Sequence, residues 1–199
     1  NCNRPGLRNN QLNYCRHRSY DGVVVMCAGF DQEDLGELMQ STVPVVTIDY
    51  TYPRRSAVLS DNSQGMRELT RYAYEMGHRR IAFIHGEQTV ITVARLECFR
   101  AACREFGLPI LDGYVQPAFY HDPLSAADAA QRLLSLDEPP TCIFFQDDYS
   151  YLGCLNLLRD RGISFPGNIS VAGYDGIRLA DMVCPRLTTF HQDSTGIGR

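Results

Sequence analysis

The stretch Ser170–Asp193, "SVAGYDGIRLADMVCPRLTTFHQD", does not read as an ordinary surface loop. A short apolar strand, Ile169 to Ala172, is expected to stop at Gly173, and Asp175 follows with a second glycine, Gly176, behind it. A brief helix-like run, a proline and another strand, Leu187 to Phe190, come next. An acid just past the end of a buried strand needs a reason, because burying an unpaired carboxylate is costly. The placement recurs: Asp49, His85, Asp147 and Asp148 each follow a short apolar run.

Those runs alternate with amphipathic segments. "GVVVMCA" (22–28) reads as a buried strand ended by Gly29, and "DQEDLGELMQ" (31–40) as a helix with acids in its first turn, where they complement the helix dipole. "VPVVTID" (43–49) is a second strand and "SAVLSD" (56–61) a brief extended piece. The next helix, capped by Asn62 or Ser63, sets Met66, Leu69, Ala73 and Met76 on one stripe of 3.6-residue period and stops at Gly77. A strand (80–86), a helix from Thr89 to Phe106 and an Ala/Leu-rich helix (124–136) follow. A strand (141–146), a helix from Tyr149 to Arg161, and the strands "NISVAG" and "RLTTF" complete the set.

Strand–helix alternation with continuously apolar strands specifies an α/β fold, its parallel sheets covered by helices on both faces. Ligands of such sheets sit beyond the carboxyl ends of the strands. A pocket lined from strand ends is therefore the simplest reason for the recurring acids. Local roles compete with it. Asp49 can merely start the turn before Pro53, and Asp148 is the favoured cap of the helix behind it, which leaves Asp147 as a carboxylate beyond what capping requires. His85 fits equally well as a packed histidine beside a glycine turn or as a ligand contact.

Composition narrows the class. Of 199 residues, 44% are hydrophobic and 21% charged, enough apolar material for a core of globular type. No apolar run approaches the roughly 18 residues of a membrane span, and the polar start carries no signal-peptide pattern. A net charge of −4 argues against a large nucleic-acid surface on this segment. The eight cysteines form no CxxC pair, and several lie inside apolar runs, so reduced thiols are expected and no metal site. No Gly-x-Gly-x-x-Gly follows a strand, and neither a Walker loop nor a Gly-x-Ser-x-Gly elbow is present, so no cofactor and no enzymatic activity are expected.

Three segments share one pattern. "LSDNSQGMRELTRYAYEMGHRRIAFIHG" (59–86), "ARLECFRAA" (94–102) and "TCIFFQDDYSYLGCLNLLRDRGISFPGNISVAGYDGIRLADMVCPRLTTFHQD" (141–193) resemble the effector-binding region of lactose/galactose-repressor type transcription regulators, and the order and spacing hold from about Tyr20 onward. Two positions depart from the family pattern: Cys98 stands where it has glycine, and Asp147 where it has asparagine, exchanging an amide for an anion.

The resemblance implies a two-lobed fold like that of periplasmic sugar-binding proteins, with a small molecule clamped between the lobes. The N-lobe would hold residues 1–60 plus 191–199 and be incomplete, and the C-lobe residues 61–190. It further implies a cytoplasmic homodimer whose operator DNA is bound by a helix-turn-helix headpiece not found in this sequence. By the same resemblance, Arg95 donates to a ligand hydroxyl or anionic group and Asp175 accepts from hydroxyls; the competing reading of Arg95 is an exposed arginine pairing with Glu97 or Glu105. Phe119, Tyr120, Phe30 and Tyr149 are the candidate rings to stack on a sugar face. With Asp147 and Asp175 both present, a neutral sugar, a polyol or an amine-bearing ligand is expected rather than a phosphate or purine. A periplasmic receptor of a sugar transport system is the alternative with the same fold.

Overall fold

The structure, a computed structural model, describes residues 11–26 and 32–199, the side chains of residues 32–34 and 157 excepted. Phe30 lies outside the described residues. The chain divides into two compact units, residues 1–60 with 194–199 and residues 61–193.

In the first unit, β1 (Val23–Met26), β2 (Val45–Ile48) and β3 (Ser56–Val58) form a parallel sheet in that order. Helices α1 (Gln11–His17) and α2 (Gln32–Gln40) cover one face, packing Leu12, Cys15, Leu35, Leu38 and Met39 on Val25 and Val45. The opposite face differs from expectation. Val24 and Met26, 64% and 66% exposed, stand beside exposed Val46, so β1 is covered on one side only among the described residues. Arg55 closes the end of α2, its guanidinium donating to the carbonyls of Met39 at 2.8 Å and Val43 at 2.9 Å. It thereby satisfies acceptors that a helix C-terminus leaves open.

The second unit carries the larger sheet: β4 (Ile81–His85), β5 (Val115–Pro117), β6 (Cys142–Phe144), β7 (Ser170–Asp175) and β8 (Thr188–His191), all parallel, in the order β5-β4-β6-β7-β8. Side chains alternate across its plane. Ile81, Phe83, Cys142, Phe144, Ala172 and Tyr174 meet Met66, Leu69, Ala73, Phe99 and Cys103 of α3 (Asn62–Glu75) and α4 (Val90–Glu105). On the other face Ala82, Ile84, Ile143 and Phe145 meet Ala126, Ala129, Ala130, Leu133, Cys154 and Leu158 of α5 (Pro123–Leu134) and α6 (Asp148–Asp160). This sheet is sandwiched as the apolar runs predict. A 3-10 turn at Arg178–Asp181 lies between β7 and β8, and a short helix α7 (Ser194–Ile197) ends the described chain.

Several local expectations are corrected. Asp61, not Asn62 or Ser63, caps α3: its Oδ1 accepts from the Gln64 amide at 2.9 Å. The strand of the opening stretch passes through Gly173 and ends on Asp175 itself. Glycine is required at 173 because a β-carbon there would strike the buried Asp148 carboxylate. The described cysteines, Cys15, Cys98, Cys103, Cys142, Cys154 and Cys184, are free thiols.

Two glycines test this packing with opposite signs. At Gly65 an added β-carbon falls inside contact distance of the Tyr174 hydroxyl and the Phe190 ring, whereas at Gly36, inside α2, it meets open space. Gly65→Ala should therefore cost about 1–3 kcal/mol of stability. Gly36→Ala should add about 0.5–1 kcal/mol by helix propensity. Denaturant unfolding of both variants checks the pair.

Candidate functional site

The chain leaves β4 in one direction to form β5 and returns on the other side as β6, so the sheet order reverses at β4. At such a switch point the loops following neighbouring strands diverge and leave a crevice. The carboxyl ends of β4, β5, β6 and β7 and the loops behind them carry His85–Glu87, Phe119–His121, Gln146–Asp147 and Asp175–Gly176. Hydrogen bonds tie these loops together. The Tyr120 amide donates to Glu87 Oε2 at 2.9 Å, Gln146 Nε2 to the Phe119 carbonyl at 3.0 Å, and the His121 amide to Asp147 Oδ2 at 3.1 Å.

Arg95 stands at the centre. It projects from α4 and is only 4% exposed, which overturns the reading of a surface arginine; Glu105 pairs instead with Arg67. Its Nε donates to Asn62 Oδ1 at 2.8 Å, its Nη1 to the Gln146 carbonyl at 2.9 Å, and its Nη2 lies 3.8 Å from Asp175 Oδ1. The guanidinium carbon sits 3.7 Å from the centre of the Tyr174 ring. A buried cation is tolerable only with this degree of satisfaction.

Asp175 is the more open partner, its side chain 26% exposed. Its φ of +110° is a conformation L-residues rarely adopt, and Gly176 continues it at +70° with His191 packed where a side chain would go. Gln192 Nε2 donates to Oδ1, while Oδ2 has no protein hydrogen bond among the described residues. Burial pushes the Asp175 carboxyl up to about 6, against the opposing pull of Arg95 and Gln192.

The two neighbouring acids exchange the roles expected of them. Asp147, 1% exposed, is the cap of α6: Oδ1 accepts from the Ser150 amide at 2.7 Å, and Oδ2 from the Ser150 hydroxyl at 2.8 Å as well as from His121. Asp148 reaches under the β7–β8 edge and accepts from the Ile177 amide at 2.8 Å and the Thr189 hydroxyl at 2.6 Å, with burial raising its carboxyl. Both carboxylates are consumed by the protein, so the expected surplus of open acceptors contracts to Asp175.

The remaining candidates separate. Tyr120 is half-buried, stacked against Gly86, with its hydroxyl 3.1 Å from Thr92 Oγ1; burial raises its phenol above the usual value. His85 bonds through Nδ1 to the Gly86 carbonyl at 2.8 Å and, with Phe119, Ser125 and Arg132, lines an open hollow of about 440 Å³. Phe119 and Tyr149 are exposed, the Tyr149 ring nearly perpendicular to that of His121 at 6.3 Å between centroids. Asp49 belongs to the first unit, where it has a φ of +56° and its Oδ1 accepts from the Ser60 amide at 2.7 Å, a turn-closing role. A second hollow of about 500 Å³ lies at the amino ends of β6–β8, against Leu69, Met76 and Phe165, and contains none of the predicted residues. Among the described residues no His/Cys/Asp/Glu group is arranged to hold a metal ion. Sequence reading missed Asn62, Gln146 and Gln192, all neutral amides; only their nearness to strand ends or to the "DN" helix start marks them.

The raised Asp175 carboxyl gives a signed pH dependence. Unfolded, the group ionises near 3.8, the ordinary value of an aspartate; folded, it holds its proton to about 6, so the folded state binds more protons between those values. Stability from this group is therefore fully present below about 4 and is lost as pH rises through about 6, by up to about 3 kcal/mol. Relative to Asp175→Asn, the wild type should gain stability on acidification across that window, read from denaturant midpoints at stepped pH.

Comparison with known proteins supplies a separate line. A family model described as "Periplasmic binding protein-like domain" matches residues 70–199. The chain is 32% identical over 200 residues to the HTH-type transcriptional repressor PurR of Haemophilus influenzae (strain PittEE), covering 99% of this chain and 59% of that protein. It is 33% identical over 193 residues to catabolite control protein A of Priestia megaterium, covering 94% and 57%. The chain thus spans less than two thirds of either protein. Among solved structures, a transcriptional regulator of the LacI family from Burkhoderia phymatum superposes with a TM-score of 0.84 at 27% identity, covering 94% of this chain and 68% of that one. A LacI family transcriptional regulator from Mycobacterium smegmatis gives 0.83 at 25%, covering 96% and 72%.

Proposed function

The chain belongs to the periplasmic binding protein-like domain family, and on that premise we propose that it is the effector-binding region of a bacterial sugar-responsive transcription regulator. The transport-receptor alternative is set aside, because the relatives and structural neighbours named above are repressors and regulators of transcription. The setting is cytoplasmic, the assembly a homodimer, and operator DNA is reached through a helix-turn-helix of the kind the repressor's name describes. Among the described residues no helix is long and apolar enough to cross a membrane. The chain performs no catalysis and takes no cofactor; its work is to bind a small molecule and shift a conformational equilibrium.

One observation carries the ligand class: an open carboxylate oxygen, Asp175 Oδ2, beside the Arg95 guanidinium at the carboxyl end of β7, with the half-buried Tyr120 ring close by. A carboxylate accepts from hydroxyls and repels phosphate, and an aromatic face suits the C–H side of a sugar ring. Hydrogen bonds to charged groups are worth about 1.5–3 kcal/mol each. Moving a population from 1:99 to 99:1 needs about 5.5 kcal/mol of differential affinity, so three or four such contacts formed in one state alone suffice.

Calorimetric titration against neutral sugars, polyols, phosphorylated sugars and nucleobases tests the reading. A neutral sugar or polyol should bind, and Asp175→Ala should weaken it roughly 10- to 100-fold. Binding confined to phosphorylated sugars or nucleobases, or an unchanged affinity in the variant, would overturn it. Arg95→Ala is a poorer probe than Asp175→Ala, because Arg95 is buried and holds its neighbours. Removing the guanidinium takes a donor from Asn62 Oδ1 and from the Gln146 carbonyl and leaves Asp175 without its cation, so it should also lower stability, by about 3–5 kcal/mol for a broken buried pair.

A further inference from the structure

The second hollow of the larger unit lies away from the charged pair. It opens at the amino ends of β6, β7 and β8, where Cys142, Ser170 and Thr188 begin their strands, whereas Asp175 closes β7 five residues on, roughly 16 Å away. The ladder between β7 and β8 starts at the Ala172–Thr188 pair, so Ser170 and Val171 have no strand beside them on that side among the described residues. The Val171 N–H faces this notch, because the Ser170 N–H turns the other way, to the Thr141 carbonyl at 2.9 Å. Through the notch the hollow reaches both faces of the sheet. Leu69, Ala73 and Phe144 line it from the α3–α4 layer, and Tyr151, Phe165 and Val171 from the α5–α6 layer. The result is an apolar chamber of about 500 Å³, within the size range of small-molecule sites.

The polar groups of this chamber share one character. Arg186 is exposed on its lining and enters none of the ion pairs among the described residues. Tyr72, Ser170 and Thr188 add hydroxyls, and no aspartate or glutamate lines the chamber, in a chain of net charge −4. His78 is committed through Nδ1 to the Thr141 hydroxyl at 3.0 Å, and burial lowers its imidazole below the ordinary value, so the guanidinium is the cation of the chamber at neutral pH. An uncovered apolar floor beside a cation and several donors suits an occupant that is apolar over most of its surface and anionic at one end. From this arrangement we propose that the chamber is a second small-molecule site, which takes an amphipathic arylalkyl carboxylate, its ring on Leu69, Phe144 and Phe165 and its head on the Arg186 guanidinium. The site shares no residue with the Asp175 pair and stands whether or not that pair reads a sugar.

Three molecules with one apolar body and different heads test it: phenylbutyrate, phenylbutanol and phenylbutylamine, titrated into the full chain carrying carbon-13 methyl groups on methionine. Met76 lines the chamber, and Met39, buried in the first unit, is the internal control. Phenylbutyrate should shift the Met76 methyl signal saturably, with a Kd on the order of 0.1–1 mM for so small a ligand, and leave Met39 unchanged. The alcohol should bind roughly 3- to 10-fold more weakly, since the ion pair it lacks is exposed, and the amine more weakly again. Arg186→Ala, at an exposed position, should bring the carboxylate to the level of the alcohol without changing the alcohol. Equal binding of all three heads, an Arg186→Ala variant that keeps the advantage of the carboxylate, or a Met76 signal untouched by phenylbutyrate would overturn the proposal. So would a Met76 signal that moves with protein concentration alone and resists phenylbutyrate, which would assign the chamber to a second copy of the chain.

Discussion

The buried guanidinium of Arg95 is the constraint around which the larger unit's site is arranged. A permanently charged group with 4% exposure forces its surroundings to supply acceptors, and they come from three different places in the sequence: Asn62, the Gln146 carbonyl, and the neighbours Tyr174 and Asp175, one giving its ring face and the other its carboxylate. Each of those residues is fixed in turn. Gln146 is anchored to Ser150 at 3.0 Å, Asp175 to Gln192, and Tyr174 against Gly65. Losing the cation would leave a set of polar groups facing one another without a centre, which is why the site is better described as a network than as a list of contacts.

The acids at the strand ends illustrate how one residue type serves three purposes in one place. Asp147 satisfies a helix start and the loop after β5, Asp148 pins the turn after β7 to β8, and Asp175 remains open at one oxygen. The first two make the third possible. By fixing the Ile177 and Thr189 groups, Asp148 holds the turn in which Asp175 and Gly176 adopt positive φ. Strain of that kind persists only where the surroundings over-determine it.

Much of the architecture was legible because period and punctuation agree. The Met66, Leu69, Ala73 stripe and the Gly77 stop define α3, and the apolar runs at 81–84 and 142–145 alternate between two helical layers as a sandwiched strand must. β5 escaped because it is three residues long and ends in proline, too short to show a period. Asp61 lost the cap to its neighbours in the sequence reading because three polar residues in a row, Asp61, Asn62 and Ser63, are all competent; only Asn62's engagement with a distant arginine separates them. The exchange between Asp147 and Asp148 has the same origin. Adjacent acids at a helix start leave the backbone in different directions, and residue type does not say which one meets Ser150 and which one meets Thr189. Neutral amides such as Gln192 carry no pattern of their own and became visible only through the group they hold.

The claim that unifies these observations is that Asp175, steadied by Arg95 and left open at Oδ2, is where a hydroxyl-bearing effector is read. The most direct measurement is a crystal structure of the chain grown with the sugar or polyol that titration selects. It should place a ligand hydroxyl within hydrogen-bond distance of the Asp175 carboxylate, with Tyr120 against the ligand. A ligand seated elsewhere, with Asp175 still facing only Arg95 and Gln192, would contradict the account.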